Sequence, residues 1–269
     1  MVTSLVLLVK ATLLVVFLAT ASAYILNEES STRPLPSNCV EAVRFAGSEA
    51  KSGIYQIRLP LKGWEDRPFY VYCLLDGNGG DPRLVVQRRQ NEHINFNRNW
   101  NDYKVGFGNL NTNFFIGLDK LHALTQVQLN ELQIELHDFN DTVKYAHYDS
   151  FAVGGENEKY ALNILGKYSG SAGDSLIGIH DGQKFSTYDQ DNDNSTLNCA
   201  EDYKAGWWYN DCYDSNLNGE YLNNNNKSNG KGVIWNKWHG NNYSLKYAHM
   251  AIRPRDSADI CVQRCGDSK

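Results

Sequence analysis

The sequence predicts a mixed domain: short strands, a few short helices, and a C-terminal portion given over to loops. Three observations carry this. Runs rich in β-branched and aromatic residues recur, as at Phe69-Tyr70-Val71-Tyr72-Cys73 and Leu84-Val85-Val86. Apolar residues alternate with polar ones at Leu132, Ile134 and Leu136, with Gln133 and Glu135 between. Ala248, Met250 and Ile252 repeat the pattern, which has the period of a half-buried strand. From Tyr148 onward Gly, Asn, Asp and Ser become frequent, ending in Asn223-Asn224-Asn225-Asn226. Loops of that kind commonly carry binding sites on a rigid scaffold.

From the N-terminus, Lys10 precedes an apolar run from Ala11 to Ala19 and then Thr20-Ala21-Ser22-Ala23. The run is too short to span a bilayer, and its small-residue end suits signal peptidase. We place cleavage after Ala23, so residues 1–23 read as a signal peptide and the protein as secreted, without stable membrane insertion. Residues 24–38 form a short polar leader containing Pro34 and Pro36. They hold no Gly-x-y repeat and no heptads, so no oligomerisation stalk is legible. Two short helices fit Asn99 to Lys104 and Gly117 to Thr125; in the second, Leu118, Leu121 and Leu124 recur every three residues.

The six cysteines are even in number, which in an oxidising compartment predicts disulfides. They are too sparse to replace a hydrophobic core. A net charge of −5 with no Lys/Arg-rich run argues against nucleic acid as a partner. No HExxH, GxSxG, phosphate loop or supported Ser-His-Asp order is present, so the chain is read as no enzyme. His122 and His147 read as structural.

The stretch from Tyr188 to Tyr221 is the richest in chemistry. Asp189, Asp191 and Asp193 alternate with polar residues, Cys199 and Cys212 bracket Trp207-Trp208, and an SNLNG turn follows. An EF-hand counted from Asp189 needs Gly at its sixth position and Glu at its twelfth; Asn194 and Ala200 stand there instead. Oxygen-only ligands still favour Ca²⁺ over zinc or copper. The residues alone leave a calcium site and a solvated acidic turn both open. Tryptophans at this density more often form core than a sugar platform, so Trp207 and Trp235 are expected to be buried.

The ordered motifs resemble the fibrinogen C-terminal globular domain of fibrinogen chains, ficolins, tachylectins and angiopoietins. They run from Asn38-Cys39-Val40-Glu41-Ala42 and Phe69-Tyr70-Val71-Tyr72-Cys73 through Val86-Gln87-Arg88-Arg89 and Phe96-Asn97-Arg98-Asn99-Trp100. Tyr103-Lys104-Val105-Gly106-Phe107-Gly108, Gly117-Leu118-Asp119-Lys120-Leu121-His122 and Phe185-Ser186-Thr187-Tyr188-Asp189 follow. Asn198-Cys199-Ala200, Gly206-Trp207-Trp208-Tyr209 and Ser215-Asn216-Leu217-Asn218-Gly219 complete the set. The resemblance covers about residues 39 to 254. We take the domain as 39–256, with 257–269 a tail carrying Cys261 and Cys265, which bridge each other or link a second chain.

The resemblance implies an α+β fold with a twisted, mainly antiparallel sheet, short helices and a loop-rich calcium- and ligand-binding subdomain. It implies disulfides Cys39–Cys73 and Cys199–Cys212. It implies Ca²⁺ held by the carboxylates of Asp191 and Asp193 and the backbone carbonyls of Ser195 and Leu197, with water. In the acetyl-binding lectins of the family a small apolar pocket lies beside the second disulfide, and a cis peptide precedes its second cysteine, here Asp211-Cys212. Backbone N–H groups there hold the acetyl carbonyl. Carried over, the pocket comprises Tyr203, Asp211, Cys212, Tyr213, Asn229, Gly230 and Tyr243.

Two positions depart from the family's lectins. Tyr213 stands where His usually follows the second cysteine, and Asn229-Gly230 stands for Tyr-Ala. Asn229 in place of an aromatic wall is expected to open the pocket and make it wetter. That implies altered specificity, towards a larger or more hydrated group such as a sialic acid or a peptide terminus. Asn140, Asn194, Asn226 and Asn242 begin N-x-Ser/Thr sequons. Asn140 and Asn226 are the expected acceptors, since a glycan on Asn194 or Asn242 would crowd the sites.

The expected function is lectin-like recognition of a glycan, acetylated surface or microbial surface, of innate-immunity type. The alternative is a ligand for a cell-surface protein, or a matrix or signalling factor, of angiopoietin or fibrinogen type. Weak single-site sugar binding normally needs multivalency. With no stalk, a homo-oligomer formed laterally or through Cys261 or Cys265 would have to supply it.

Overall fold

A computed structural model describes residues 34–76, 81–223 and 229–255 of the chain. The expected signal segment, the sequon at Asn226, and Cys261 and Cys265 lie outside those residues. The fold described is that of the unit beginning at Pro36.

Helix α1, Cys39–Ala46, begins at Asn38, whose side chain accepts from the Glu41 N–H at 2.9 Å. Glu41 in turn accepts from the Ser37 N–H at 2.8 Å, tying the residue before the cap to the first turn. Strands β1 (Gly53–Ile57), β2 (Phe69–Leu74) and β3 (Arg83–Arg89) follow as an antiparallel meander. The disulfide Cys39–Cys73 pins α1 onto β2.

Helix α2, Trp100–Val105, is capped by Asn99, which accepts from Asp102 N–H at 2.8 Å. Short strands β4 (Phe107–Gly108) and β5 (Phe114–Phe115) lead to α3, Leu118–Val127, which buries Leu118, Leu121 and Leu124. Gly106 and Gly117 let these segments touch: a β-carbon at Gly106 would lie 2.4 Å from the Ile116 carbonyl oxygen. Both adopt positive φ, which glycine takes at little steric cost.

Strands β6 (Asn130–His137) and β7 (Val143–Val153) form the long hairpin of the sheet. β8 (Leu162–Leu165) and β9 (Tyr168–Gly170) both pair with β7. The last strand, β12 (Tyr247–Pro254), inserts between β3 and β6, giving the order β1-β2-β3-β12-β6-β7-β8, antiparallel at every pairing. Between β9 and β12 lie α4 (Ile177–His180), α5 (Cys199–Asp202), the two-stranded β10 (Ser215–Asn216) and β11 (Ile234–Trp235), and α6 (Asn236–His239). This is the α+β, mainly antiparallel architecture that the motifs imply.

The loop-rich subdomain is anchored to the sheet by buried polar groups. The fully buried Arg89 on β3 donates to the carbonyls of Leu217 and Gly219, and its guanidinium stacks 3.9 Å from the Phe96 ring centroid. Gln87 donates to Leu217 O at 2.8 Å and Asn218 Oδ1 at 3.0 Å. Trp207, Trp208 and Trp235 are at most 1% exposed. Trp208 Nε1 donates to Tyr160 O and Trp235 Nε1 to Gly173 O, both at 2.8 Å, so the tryptophans hold loops rather than present a platform. Among the described residues no helix is long and apolar enough to cross a membrane.

Candidate functional site

The three alternating aspartates separate into different tasks. Asp189 turns towards the core: its Oδ1 accepts from Trp100 N–H at 2.9 Å and Thr187 Oγ1 at 2.8 Å, fastening the loop to the start of α2. Asp189→Ala should therefore cost roughly 1 kcal/mol, as loss of a helix N-terminal acceptor does, while leaving any calcium response intact. Urea titration with and without calcium checks this; a vanished calcium response would make Asp189 a ligand.

Asp191 and Asp193 sit side by side. Asp191 Oδ1 accepts from Asp193 N–H at 3.1 Å. Asp193 Oδ1 accepts from Ser195 N–H and its Oδ2 from Cys199 N–H, both at 3.0 Å. Burial pushes the Asp193 carboxyl up to about 6; the two N–H donors pull it down, and the Asp191 charge raises it further. Two neighbouring carboxylates, one partly buried, repel when ionised, and a divalent cation resolves that repulsion. Asp191 and Asp193 offer oxygen donors only, the kind a hard cation such as Ca²⁺ takes, although among the described residues no group of three or more His, Cys, Asp or Glu gathers at one place.

This turn is stitched to the loop that carries the second disulfide. Asn194 N–H donates to Asn210 O at 3.1 Å and Asn194 Nδ2 to Asn210 Oδ1 at 2.9 Å. Asn198 caps α5, accepting from Glu201 N–H at 3.0 Å, and Cys199 on that helix is bonded to Cys212. The Asp211-Cys212 peptide is cis. Asp211 is exposed and Cys212 half-buried.

Around Cys212 the structure gathers Tyr203, Tyr213 and Gly230. Tyr213 packs edge-on to Tyr203 with centroids 4.7 Å apart, and 6.2 Å from Tyr209. Its hydroxyl donates to Gly230 O at 2.5 Å. Asn229 is exposed in a left-handed turn, and the Tyr213 ring fills the space between Tyr203 and Gly230. Tyr243 belongs to another cluster: it stacks on His239 at 4.2 Å, and its hydroxyl accepts from Phe139 N–H at 2.9 Å.

One residue of the site has no signal in the sequence. His180 is fully buried. Its Nδ1 lies 2.7 Å from Trp208 O, and its Nε2 accepts from the N–H groups of Asp214 and Ser215, each at 3.0 Å. These bonds fix the tautomer and hold the chain just past Tyr213. Burial lowers His180 from its ordinary 6.5 to about 4, so the ring is neutral at physiological pH. His122 and His147 lie away from this loop, in contact with Val153 O and with Glu131 and Ser169 respectively.

Residues 35–255 match the family model of the fibrinogen β and γ chains, C-terminal globular domain. The chain belongs to that family. Among its relatives, the fibrinogen C domain-containing protein 1 of Mus musculus is 45% identical over 191 residues, 69% of this chain and 41% of that protein. Fibrinogen-like protein 1 of Mus musculus is 44% identical over 77% of this chain and 68% of its own length. Ryncolin-4 of Cerberus rynchops is 42% identical over 73% of this chain and 58% of its own length. The first and third of these thus extend well beyond the region shared with this member.

Solved structures agree in fold. The fibrinogen-like globe domain of human ANGPTL6 superposes with a TM-score of 0.73 at 38% identity, covering 84% of this chain and 99% of that one. A lamprey fibrin D-dimer complexed with the peptide ligand Gly-His-Arg-Pro-amide gives a TM-score of 0.75 at 31% identity, covering 89% of this chain and 84% of that one.

Proposed function

We propose that this fibrinogen-related domain is a secreted, calcium-binding recognition module of lectin type, directed at glycans or microbial surfaces. In this reading residues 1–23 are a signal peptide, 39–256 the recognition domain, and Asn140 and Asn226 carry glycans. One observation supports it above the others. Asp193 bridges the cation turn to Cys199, and Cys199 to Cys212, so a cation bound by Asp191 and Asp193 stiffens the cleft lined by Tyr203 and Tyr213. Binding there is expected to be weak and calcium-assisted, and to need a homo-oligomer for avidity.

A glycan array probed with the calcium-loaded protein, and again in chelator, tests this. The expected result is a set of glycans bound only with calcium. Equal signals in both conditions, or none above background, sink the reading. The second reading is a peptide or protein ligand, favoured by the peptide-bound lamprey fibrin structure at 31% identity. Peptides with free and blocked amino termini, in the same assay, separate the two.

A further inference from the structure

Along β6, Leu132, Ile134 and Leu136 turn into the core with Leu118 and Leu121 of α3, while Glu131, Gln133, Glu135 and His137 turn the other way. Register carries this outer face across the sheet: Tyr145 on β7 stands opposite Glu135, and Glu135 opposite His249 on β12. With Tyr247 they line one end of a cavity of about 460 Å³, whose other end reaches Leu74, Leu75 and Asp76 at the end of β2. The strands β6, β12 and β3 lie between β7 and β2. Four strand spacings of about 4.8 Å make the cavity a groove about 19 Å long, the reach of about five or six extended residues.

The groove is acidic. Asp76, Asp81 and Glu135 line it against a single guanidinium, Arg83, which is bonded to Asp81 at 2.6 Å and to Glu131 at 2.7 Å. Arg253 pairs with the same two carboxylates. Glu135 keeps an oxygen to spare: its Oε1 lies 2.7 Å from His137 Nε2, and its Oε2 has no partner among the described residues. Tyr145, 39% exposed, and Tyr247 flank it from the two neighbouring strands. Burial raises both phenols, Tyr247 to about 12, and the Glu135 charge raises them further, while Arg88 pulls Tyr247 down. His249, lowered to about 3 by burial and by Arg88, His137 and Arg83, is neutral at physiological pH and does not repel a cation. Arg88 lies beyond His249 and stacks 4.1 Å from the Tyr72 ring centroid. A carboxylate oxygen between two aromatic rings attracts an organic cation through charge and ring faces together. One free oxygen suits the point charge of an ammonium; a guanidinium fork needs two. We propose that this groove is a second recognition site, taking an extended peptide segment of a partner protein. A lysine of that segment places its ammonium on Glu135 between Tyr145 and Tyr247, and its apolar side chains rest on Leu74 and Leu75. The site uses no residue of the calcium turn or of the Cys212 loop, so it goes beyond the glycan reading and does not depend on it.

The probe is a fluorescein-labelled six-residue peptide with lysine near one end and two leucines at the other, made in both orders. Fluorescence anisotropy with the intact protein should show saturable binding of one order. Replacing the lysine by Nε-acetyl-lysine removes the charge and should weaken binding about tenfold, the scale of a lost charge-assisted bond. Glu135→Gln should weaken the lysine peptide as much and leave the acetylated one unchanged. Tyr145→Leu should cost the lysine peptide a few-fold through the lost ring. A chelator should change none of these values; binding lost in chelator would place the peptide at the calcium turn and overturn the groove. Equal binding of the lysine and acetyl-lysine peptides overturns it too, as does no binding in either order. So does undiminished binding of the lysine peptide by a Glu135→Gln variant whose melting temperature shows it folded. If Glu135→Gln does not fold, the acetylation comparison on the intact protein decides alone.

Discussion

Asp191→Ala combined with Asp193→Ala should abolish the stabilisation that calcium gives the intact protein. A ligand that binds only the folded state stabilises it by about 2.7 kcal/mol at a hundredfold excess over its dissociation constant. For a domain of this size, each kcal/mol moves the melting temperature by roughly 2–4 °C, so an intact rise of about 5–10 °C should fall to nothing. The double variant should also be weaker without calcium. It leaves the N–H groups of Ser195 and Cys199 without the acceptors that Asp193 provides, at about 1–3 kcal/mol for each group that stays buried. Asp193→Asn separates the effects, because the amide oxygen still accepts one of these bonds while the charge is gone. A calcium-induced shift in the double alanine variant equal to that of the intact protein would remove Asp191 and Asp193 from the cation site.

Acidification should loosen the same subdomain through His180. Its folded pKa is depressed from 6.5 to about 4, so the neutral ring is the form the fold requires. The contribution is complete above about pH 6.5. It is lost progressively as the pH falls from there to about 4, because the unfolded chain takes up a proton that the native chain refuses. The whole interval is worth about 3 kcal/mol at 1.36 kcal/mol per unit. When the proton does bind, Nε2 can no longer accept from Asp214 and Ser215, and the chain beyond Tyr213 is released. His249 on β12 behaves in the same sense, lowered to about 3 by burial and by Arg88, His137 and Arg83. Asp193, raised to about 6 in the calcium-free protein, works in the opposite direction. The difference between the intact protein and His180→Gln isolates the one group. Urea midpoints measured from pH 7.5 to 4.5 should show a pH slope shallower by about one proton in the variant. Identical slopes would mean that His180 titrates normally.

Most of the scaffold is legible in the sequence because its signals are local. The runs at 69–73, 84–86, 132–136 and 248–252 all became sheet strands. The leucine period of 118–124 became a helix running on to Val127. The eleven-residue β7 escapes the eye because its buried face is sparse, Ala146, Tyr148, Phe151 and Val153, and the alternation breaks after Tyr148. At the site, the disulfide pairs implied by the family motifs are those observed. What sequence could not supply was the division of labour among like residues. Asp189 reads like Asp191 until Trp100, far away in the chain, takes its carboxylate. His180 has no local motif, since its partners lie 28 to 35 residues downstream. Tyr213 reads as added bulk, and only the backbone path of Gly230 reveals where that bulk goes.

The place of β12 has a consequence for how the chain is made. Tyr247–Pro254 is synthesised after every other described strand, yet it hydrogen-bonds to β3 on one side and β6 on the other. Until it arrives, the two halves of the sheet face each other across an empty lane, each with an unpaired edge. Such edges invite pairing with other chains, and contacts this distant in sequence form slowly. The pairing of β3 with β6 through β12 is thus available only once Tyr247–Pro254 has been made. A stop codon ahead of Tyr247 should yield not a smaller domain but an aggregation-prone chain with two open sheet edges.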